Sequence, residues 1–156
     1  LINKSASLYD NHDGVRVDLD LSGDLPKLQL DQDAISRVLI NLIKNAIEAK
    51  QEKIQLNINI KSTLNENDGL VQLTITDDGE GFPSDIIDQV FEPYITTKEK
   101  SGGLGLAIVQ NIIEQHDGQI FASNLKPHGA RITIELSIIE NPKGAKWKKT
   151  LNSEKF

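Results

Sequence analysis

The sequence predicts an α/β two-layer sandwich: a mixed sheet with its helices on one face. Three observations predict it. Five stretches alternate apolar and polar residues with period two, and two longer ones repeat apolar residues at three and four. Their order is strand, helix, strand, strand, helix, strand, strand. The third is a short polar loop between two neighbouring alternating stretches, which pairs them antiparallel.

At 156 residues, 38% hydrophobic and 26% charged, the chain is one globular domain with length for a sizeable core. A net charge of −6 argues against a nucleic-acid partner. The absence of cysteine excludes disulfides, thiol catalysis and cysteine metal sites. No apolar run approaches the roughly 18 residues of a membrane helix, and no signal peptide is visible. The chain begins Leu1-Ile2-Asn3 without an initiator Met, so it reads as a fragment or a processed chain.

Leu1, Ile2, Leu8 and Tyr9 make a loosely helical pattern over residues 1–10, readable as the last turns of a helix that begins upstream. Asn11-His12-Asp13-Gly14 is turn chemistry. Val15, Val17, Leu19 and Leu21 alternate with Arg16, Asp18 and Asp20 as a half-buried strand. After the loop Ser22–Pro26 a strong helix is expected from Asp33, capped by Asp31 or Asp33. Ile35, Val38, Leu39, Leu42, Ile43, Ala46 and Ile47 form its apolar face, and Arg37, Asn41, Asn45 and Glu48 a polar stripe.

Ile54, Leu56, Ile58 and Ile60 mark the second strand, Asn65–Gly69 a hairpin loop, and Leu70–Asp77 the third strand with Val71, Leu73 and Ile75 on one face. Asp77-Asp78-Gly79-Glu80-Gly81-Phe82-Pro83 breaks the pattern, and a short helix is expected over Asp85–Val90. Leu104 to His116 is the second long helix, with Leu106, Ile108, Val109, Ile112 and Ile113 apolar and Asp117-Gly118 at its end. Gln119–Ser123 and Ala130–Ile138 read as the last strands. Residues 140–156 are lysine-rich and weakly apolar, and a disordered tail is expected.

Thr96-Thr97-Lys98-Glu99-Lys100-Ser101-Gly102-Gly103-Leu104-Gly105-Leu106 is a polar, glycine-rich loop running straight into a helix. Its glycines allow close backbone approach, and the helix N-terminus favours anions, phosphates above all. By itself the stretch is equally a flexible turn with a helix cap. Asn41 and Asn45 sit one turn apart on one helix side. Each costs about 0.5–0.7 kcal/mol against Ala in a helix interior, and an amide oxygen is a hard neutral ligand suited to Mg²⁺. A solvated polar face is the other reading. Asp77 ends a strand before Gly79 and Gly81, where its carboxylate suits an adenine amine, though acidic turns are common in that place.

Lys98 and Lys100 flank the glycines and suit phosphate charge, or are simply solvated. Tyr94 and Phe91 suit stacking on a base or anchoring of the loop, and core packing is expected for Phe91. His12, His116 and His128 lack a second metal-type ligand at fixed spacing and read as surface residues. The phosphate-loop, dinucleotide and eukaryotic-type kinase motifs are absent.

Taken together, the order and spacing of these stretches resemble sensor histidine kinases. Asn41-Leu42-Ile43-Lys44-Asn45-Ala46-Ile47-Glu48-Ala49 resembles the N box and Asp77-Asp78-Gly79-Glu80-Gly81 the G1 box. Phe91-Glu92-Pro93-Tyr94 resembles the F box and Gly103-Leu104-Gly105-Leu106 the G2 box. Within that family the wording is most similar to the NtrY/NtrB-type nitrogen-regulation kinases. The resemblance runs from about Val15 to Ile138.

It implies the Bergerat ATP-binding fold of the GHKL superfamily, with ATP and Mg²⁺ as cofactors. It implies Asn45 at the metal with Asn41 helping, Asp77 on the adenine amine, and Gly79 and Gly81 shaping the base pocket. Residues 91–103 become the ATP lid, with Tyr94 and Lys98 beside the nucleotide. Gly102, Gly103, Leu104, Gly105 and Leu106 lie around the phosphates, Asn41, Asn45 and Lys98 take part in catalysis, and Gly129 is a late glycine of the pattern.

The implied activity is donation of the γ-phosphate to a histidine on a separate dimerisation domain, then to a response-regulator aspartate. The implied whole protein is a homodimer, with this chain a cytoplasmic part of a membrane-anchored sensor. Residues 1–13 would then end the dimerisation helix, 14–139 would be the ATP-binding domain, and 140–156 the tail.

Ser101 departs from the pattern by standing at the first glycine of the G2 box, and His116-Asp117-Gly118 stands where His-Gly-Gly is frequent. The alternatives are a degenerate nucleotide-binding or interaction module, and a GHKL-type ATPase. The ATPases of this fold, such as gyrase, Hsp90 and MutL, resemble it but carry a glutamate where this chain has Asn41, and a neutral amide accepts no proton at pH 7.

Overall fold

Period-two patterning becomes a five-stranded mixed sheet in the computed structural model, which describes residues 1–9, 12–49, 55–96 and 102–138. The strands are β1 (Val15–Leu21), β2 (Leu56–Asn65), β3 (Leu70–Asp77), β4 (Gln119–Asn124) and β5 (Ala130–Ser137). The helices are α1 (Ile2–Ser7), α2 (Gln32–Glu48) and α3 (Gly105–Gln115). Strand order is β1-β2-β3-β5-β4. β1 and β2 are parallel because α2 crosses between them, and every other pair is antiparallel.

The register lines up Val17 with Ile58, Ile60 with Ile75, and Ile75 with Ile132, so one sheet face is a continuous apolar row. Onto it α2 lays Ile35, Val38, Leu39, Leu42, Ile43 and Ala46, the apolar face its periodicity predicts. α3 adds Val109, Ile112 and Ile113. Leu39, Ile43, Ile58, Ile60, Val109, Ile113 and Ile134 are among the fully buried side chains. The opposite face carries Asn57, Asn59, Lys61 and Arg131, all exposed, so the two-layer sandwich with one helical face stands.

Several boundaries and faces differ from expectation. α2 begins at Gln32, not Asp33, because Asp31 is the cap: its carboxylate accepts from the Asp33 N–H at 2.9 Å and the Ala34 N–H at 3.0 Å. The Ala34 bond leads in holding the Asp31 carboxyl below its ordinary 3.8; the Asp33 bond, His116 and Arg37 act in the same direction and desolvation opposes them. The helix expected over Asp85–Val90 is only a 3₁₀ turn, Ile87–Gln89, without a side-chain cap.

In α1 the buried residues are Ser5 and Ala6, while Leu1 and Leu8 of the expected apolar pattern are exposed. Ile108, expected on the apolar face of α3, is 45% exposed, since it lies about 100° around the helix from Val109. Ile54 and the tail from 140 onward fall outside the described residues.

His116 is not the surface residue expected. It is half-buried, its Nε2 accepts from the Asp31 N–H at 3.0 Å, and its Nδ1 lies 2.7 Å from the Ile112 carbonyl. With Nε2 accepting, Nδ1 is the nitrogen placed to donate to Ile112, and the ring ties the start of α2 to the end of α3. Beyond it Asp117, not Gly118, takes the left-handed conformation (φ +54°), and the Gly118 N–H closes the helix on the Ile113 carbonyl at 3.0 Å. Among the described residues no helix is long and apolar enough to cross a membrane.

Candidate functional site

Between α2 and the chain that joins β3 to α3 lies a cavity of about 570 Å³. Its floor is apolar: Ile75 of β3 and Ala130 and Ile132 of β5. Asn41, Lys44, Asn45 and Glu48 of α2 form one wall, with Ala46 and Ala49 below them. Gly81, Phe82, Ile86 and Val90 form the other, and Ile95, Thr96 and Gly102 to Leu106 border the mouth. The volume is in the ordinary range of small-molecule sites.

Asp77 stands at the inner end. It is buried because β3 alternates: Val71, Leu73, Ile75 and Asp77 all face the core. Its Oδ1 accepts from the Gly79 N–H at 2.9 Å and the Ala130 N–H at 3.4 Å. Burying a carboxylate costs several kcal/mol unless hydrogen bonds compensate, and backbone donors supply that here. Asp78 points the other way, accepting from the Asn57 N–H at 2.8 Å and the Asn57 Nδ2 at 2.6 Å. Gly79 is not a lining residue, but a Cβ there would stand 2.9 Å from Asp77 Oδ1 and 3.0 Å from the Ala49 carbonyl.

Gly81 has φ +79°, and a Cβ on it would meet Asn124 Oδ1 at 2.7 Å. A non-glycine residue would therefore be strained and also clash. Asn124, at the end of β4, holds the same loop from outside the cavity. Its Oδ1 accepts from the Phe82 N–H and its Nδ2 donates to the Phe82 carbonyl, both at 2.7 Å. The amide thus imitates a strand partner for Phe82. No sequence signal points to Asn124.

At the other end the amides of Asn41 and Asn45 converge on the first residue of α3. Measured to a Cβ built on Gly105, Asn45 Oδ1 is at 3.6 Å and Asn41 Oδ1 at 3.9 Å. Two hard oxygen donors therefore meet a helix N-terminus, the arrangement a phosphate-bound cation needs. Among the described residues no group of three or more His, Cys, Asp or Glu is placed to hold a metal. The donor set fits a Mg²⁺ shared with phosphate oxygens, not one caged by carboxylates.

The structure brings Asn41, Asn45, Asp77, Gly81, Gly102, Gly103, Leu104, Gly105 and Leu106 together around one cavity. Tyr94 is not among its lining residues: its side chain is 76% exposed and its φ is +68°. Tyr94 acts through its backbone, donating its N–H to the Gly103 carbonyl at 3.0 Å. Gly103 has φ +64°, and a Cβ there would lie 2.8 Å from the Tyr94 carbonyl carbon, so the two strands of the loop touch at that glycine. Phe91 packs against the core, as expected. Lys98, Lys100 and Ser101 lie outside the described residues. Sequence reading missed the apolar floor, Lys44 and the Asn124 clasp.

Known proteins resemble this chain in sequence and in fold. Residues 30–139 match the family described as histidine kinase-, DNA gyrase B-, and HSP90-like ATPase. The sensor histidine kinase ZraS of Escherichia coli O157:H7 is 37% identical over 141 residues, which is 88% of this chain and 30% of ZraS. An NtrY-like sensor histidine kinase of Rickettsia bellii is 38% identical over 110 residues, 70% of this chain and 18% of that protein.

The catalytic domain of histidine kinase ThkA superposes with a TM-score of 0.75 at 28% identity, covering 87% of this chain and 89% of that one. ThkA in complex with the response regulator protein TrrA gives a TM-score of 0.71 at 27% identity, covering 86% of this chain and 38% of that one. The chain thus spans less than a third of the curated relatives it matches. It belongs to the histidine kinase-, DNA gyrase B-, and HSP90-like ATPase family, on its sensor histidine kinase branch.

Proposed function

We propose that this domain binds Mg-ATP and presents the γ-phosphate to a histidine carried on a separate dimerisation domain. The observation that carries the reading is the polarity of the cavity along its length. A buried carboxylate, Asp77, closes the apolar end, and Asn41, Asn45 and the N-terminus of α3 border the other. Adenine supplies a flat apolar ring with one amine donor, and the phosphates supply the anion.

In this reading Asp77 accepts the adenine amine, and Ile75, Ile132 and Ala46 cover the ring. Asn41 and Asn45 hold the Mg²⁺, which screens the phosphate charge when bound. The backbone around Gly103 and Gly105 receives the phosphates, and Lys98 on the loop pairs with them. The incoming imidazole nitrogen attacks the γ-phosphorus, the bond to the β,γ-bridging oxygen breaks, ADP leaves, and the imidazole releases its proton. The domain's contribution is position and charge, as is general for phosphoryl transfer.

A response-regulator aspartate is the onward acceptor. The full-length protein is read as a homodimer, α1 as the end of its dimerisation helix, and this domain as the cytoplasmic part of a membrane-anchored sensor. Hydrolysis is the weaker reading, because Asn41 offers no base where the ATPases of the fold carry a glutamate.

Calorimetric titration with ADP and a non-hydrolysable ATP analogue, with and without Mg²⁺, tests the binding. The native chain is expected to bind both, Asp77→Asn to lose nucleotide, and Asn45→Ala to lose the Mg²⁺ dependence. A folded native chain that binds neither nucleotide overturns the reading.

A further inference from the structure

α2 and α3 run antiparallel and meet at both ends. At one end the amides of Asn41 and Asn45 face Gly105, the first residue of α3. At the other, the C-cap of α3 reaches the N-cap of α2: His116 Nε2 accepts from the Asp31 N–H at 3.0 Å. The His116 ring is itself held, with Nδ1 2.7 Å from the Ile112 carbonyl. Asp31 is held too, because its carboxylate caps α2 through the Asp33 and Ala34 N–H groups. Between the two ends, Val109, Ile112 and Ile113 of α3 and Val38, Leu39 and Leu42 of α2 belong to one apolar cluster. Apolar contact is non-directional, and the bond between the caps adds a fixed distance that it lacks.

We propose that His116 is a positioning residue for the phosphate end of the site: by stapling the end of α3 to the start of α2, it sets how far the backbone at Gly105 stands from the Asn41 and Asn45 amides. The proposal deepens the Mg-ATP reading and rests on it. His116 lies roughly 16 Å along α3 from Gly105, at about 1.5 Å per residue, so it acts on the phosphates through the helix and not by contact. A rigid helix passes a slip at one end to the other. Mg²⁺ registers such a slip first, because it demands near-ideal octahedral geometry. The adenine end is insulated from it, because Asp77, Ile75 and Ile132 belong to β3 and β5.

Affinities of adenosine, and of a non-hydrolysable ATP analogue with Mg²⁺, are measured for the native chain, His116→Phe and His116→Gln. Phenylalanine keeps an aromatic ring and removes both nitrogens, whereas glutamine returns a neutral acceptor for the Asp31 N–H. A staple biases the placement of α3 by no more than its own net worth. His116→Phe is therefore expected to bind the ATP analogue about fivefold more weakly, the scale of one hydrogen bond. Adenosine affinity is expected to stay unchanged, and His116→Gln to recover most of the affinity for the ATP analogue. Equal losses for both ligands, no loss for either, or a glutamine variant no better than phenylalanine overturns the proposal and leaves the Mg-ATP reading intact. A native chain that binds neither ligand removes that reading itself.

The native chain offers a second test that no substitution can spoil. Coupling is reciprocal, so bound phosphates strengthen the staple. Hydrogen exchange at the Asp31 N–H is expected to slow more with the ATP analogue and Mg²⁺ than with adenosine, at concentrations that raise the melting temperature equally. Equal slowing by the two ligands overturns the proposal.

Discussion

Asp77 and Asp78 are adjacent and chemically identical, yet the pleat of β3 sends one into the cavity and the other across to Asn57. That division is legible in the sequence, because Val71, Leu73 and Ile75 set the phase of the strand and Asp77 inherits it. The clasp on Phe82 is not legible. Asn124 lies 42 residues from its partner, and nothing local distinguishes it from any asparagine at a strand end. His116 eluded the sequence for the same reason, with its bond to Asp31 spanning 85 residues. Asn124→Ala removes both Phe82 bonds and frees the loop that carries Gly81. It is expected to cost about 1 kcal/mol of stability, read by denaturant unfolding. ADP affinity should fall in the same variant, since the wall that faces the base loses its fixed shape. Unchanged ADP affinity would show that the clasp is irrelevant to the site.

The two long helices were the most legible elements, because three-and-four spacing over several turns admits little else, and the N box falls on one of them. Their ends were less so. Asp31 and Asp33 are both good caps by type, and only the geometry selects Asp31. The short segment before the loop forms only a 3₁₀ turn, Ile87–Gln89. The Asp31 cap also sets a pH dependence. Its carboxyl is held below 3.8 in the folded chain, so its contribution is complete above the unfolded value and is lost as pH falls through the lower folded value. Asp31→Ala is therefore expected to lower the melting temperature at pH 7, and the gap between variant and native chain to close in acid below about pH 3.8. A gap that persists unchanged at pH 2 would place the effect elsewhere.

The fold as a whole followed from element order, since an alternating pattern interrupted by two amphipathic helices leaves few sheets to build. What element order does not supply is the partner. The mechanism proposed above requires a histidine in line with the γ-phosphate, and His12, His116 and His128 sit in a turn, at a helix end and in a loop of this domain. The isolated chain incubated with labelled Mg-ATP is expected to show no acid-labile, alkali-stable phosphorylation, and joining it to its dimerisation domain to create some. A stable phosphohistidine on the isolated chain would refute the division of labour between domains.

The cavity floor has a further consequence. Ile75 and Ile132 belong at once to the hydrophobic cluster under the helices and to the cavity surface. On the function proposed above, a purine in the cavity would extend this apolar cluster. Folding and substrate loading then draw on the same contacts, so a substitution at either isoleucine is felt twice, as a weaker fold and as a weaker grip. At a hundred times its dissociation constant, a nucleotide bound as proposed would add about 2.7 kcal/mol to the stability of the fold.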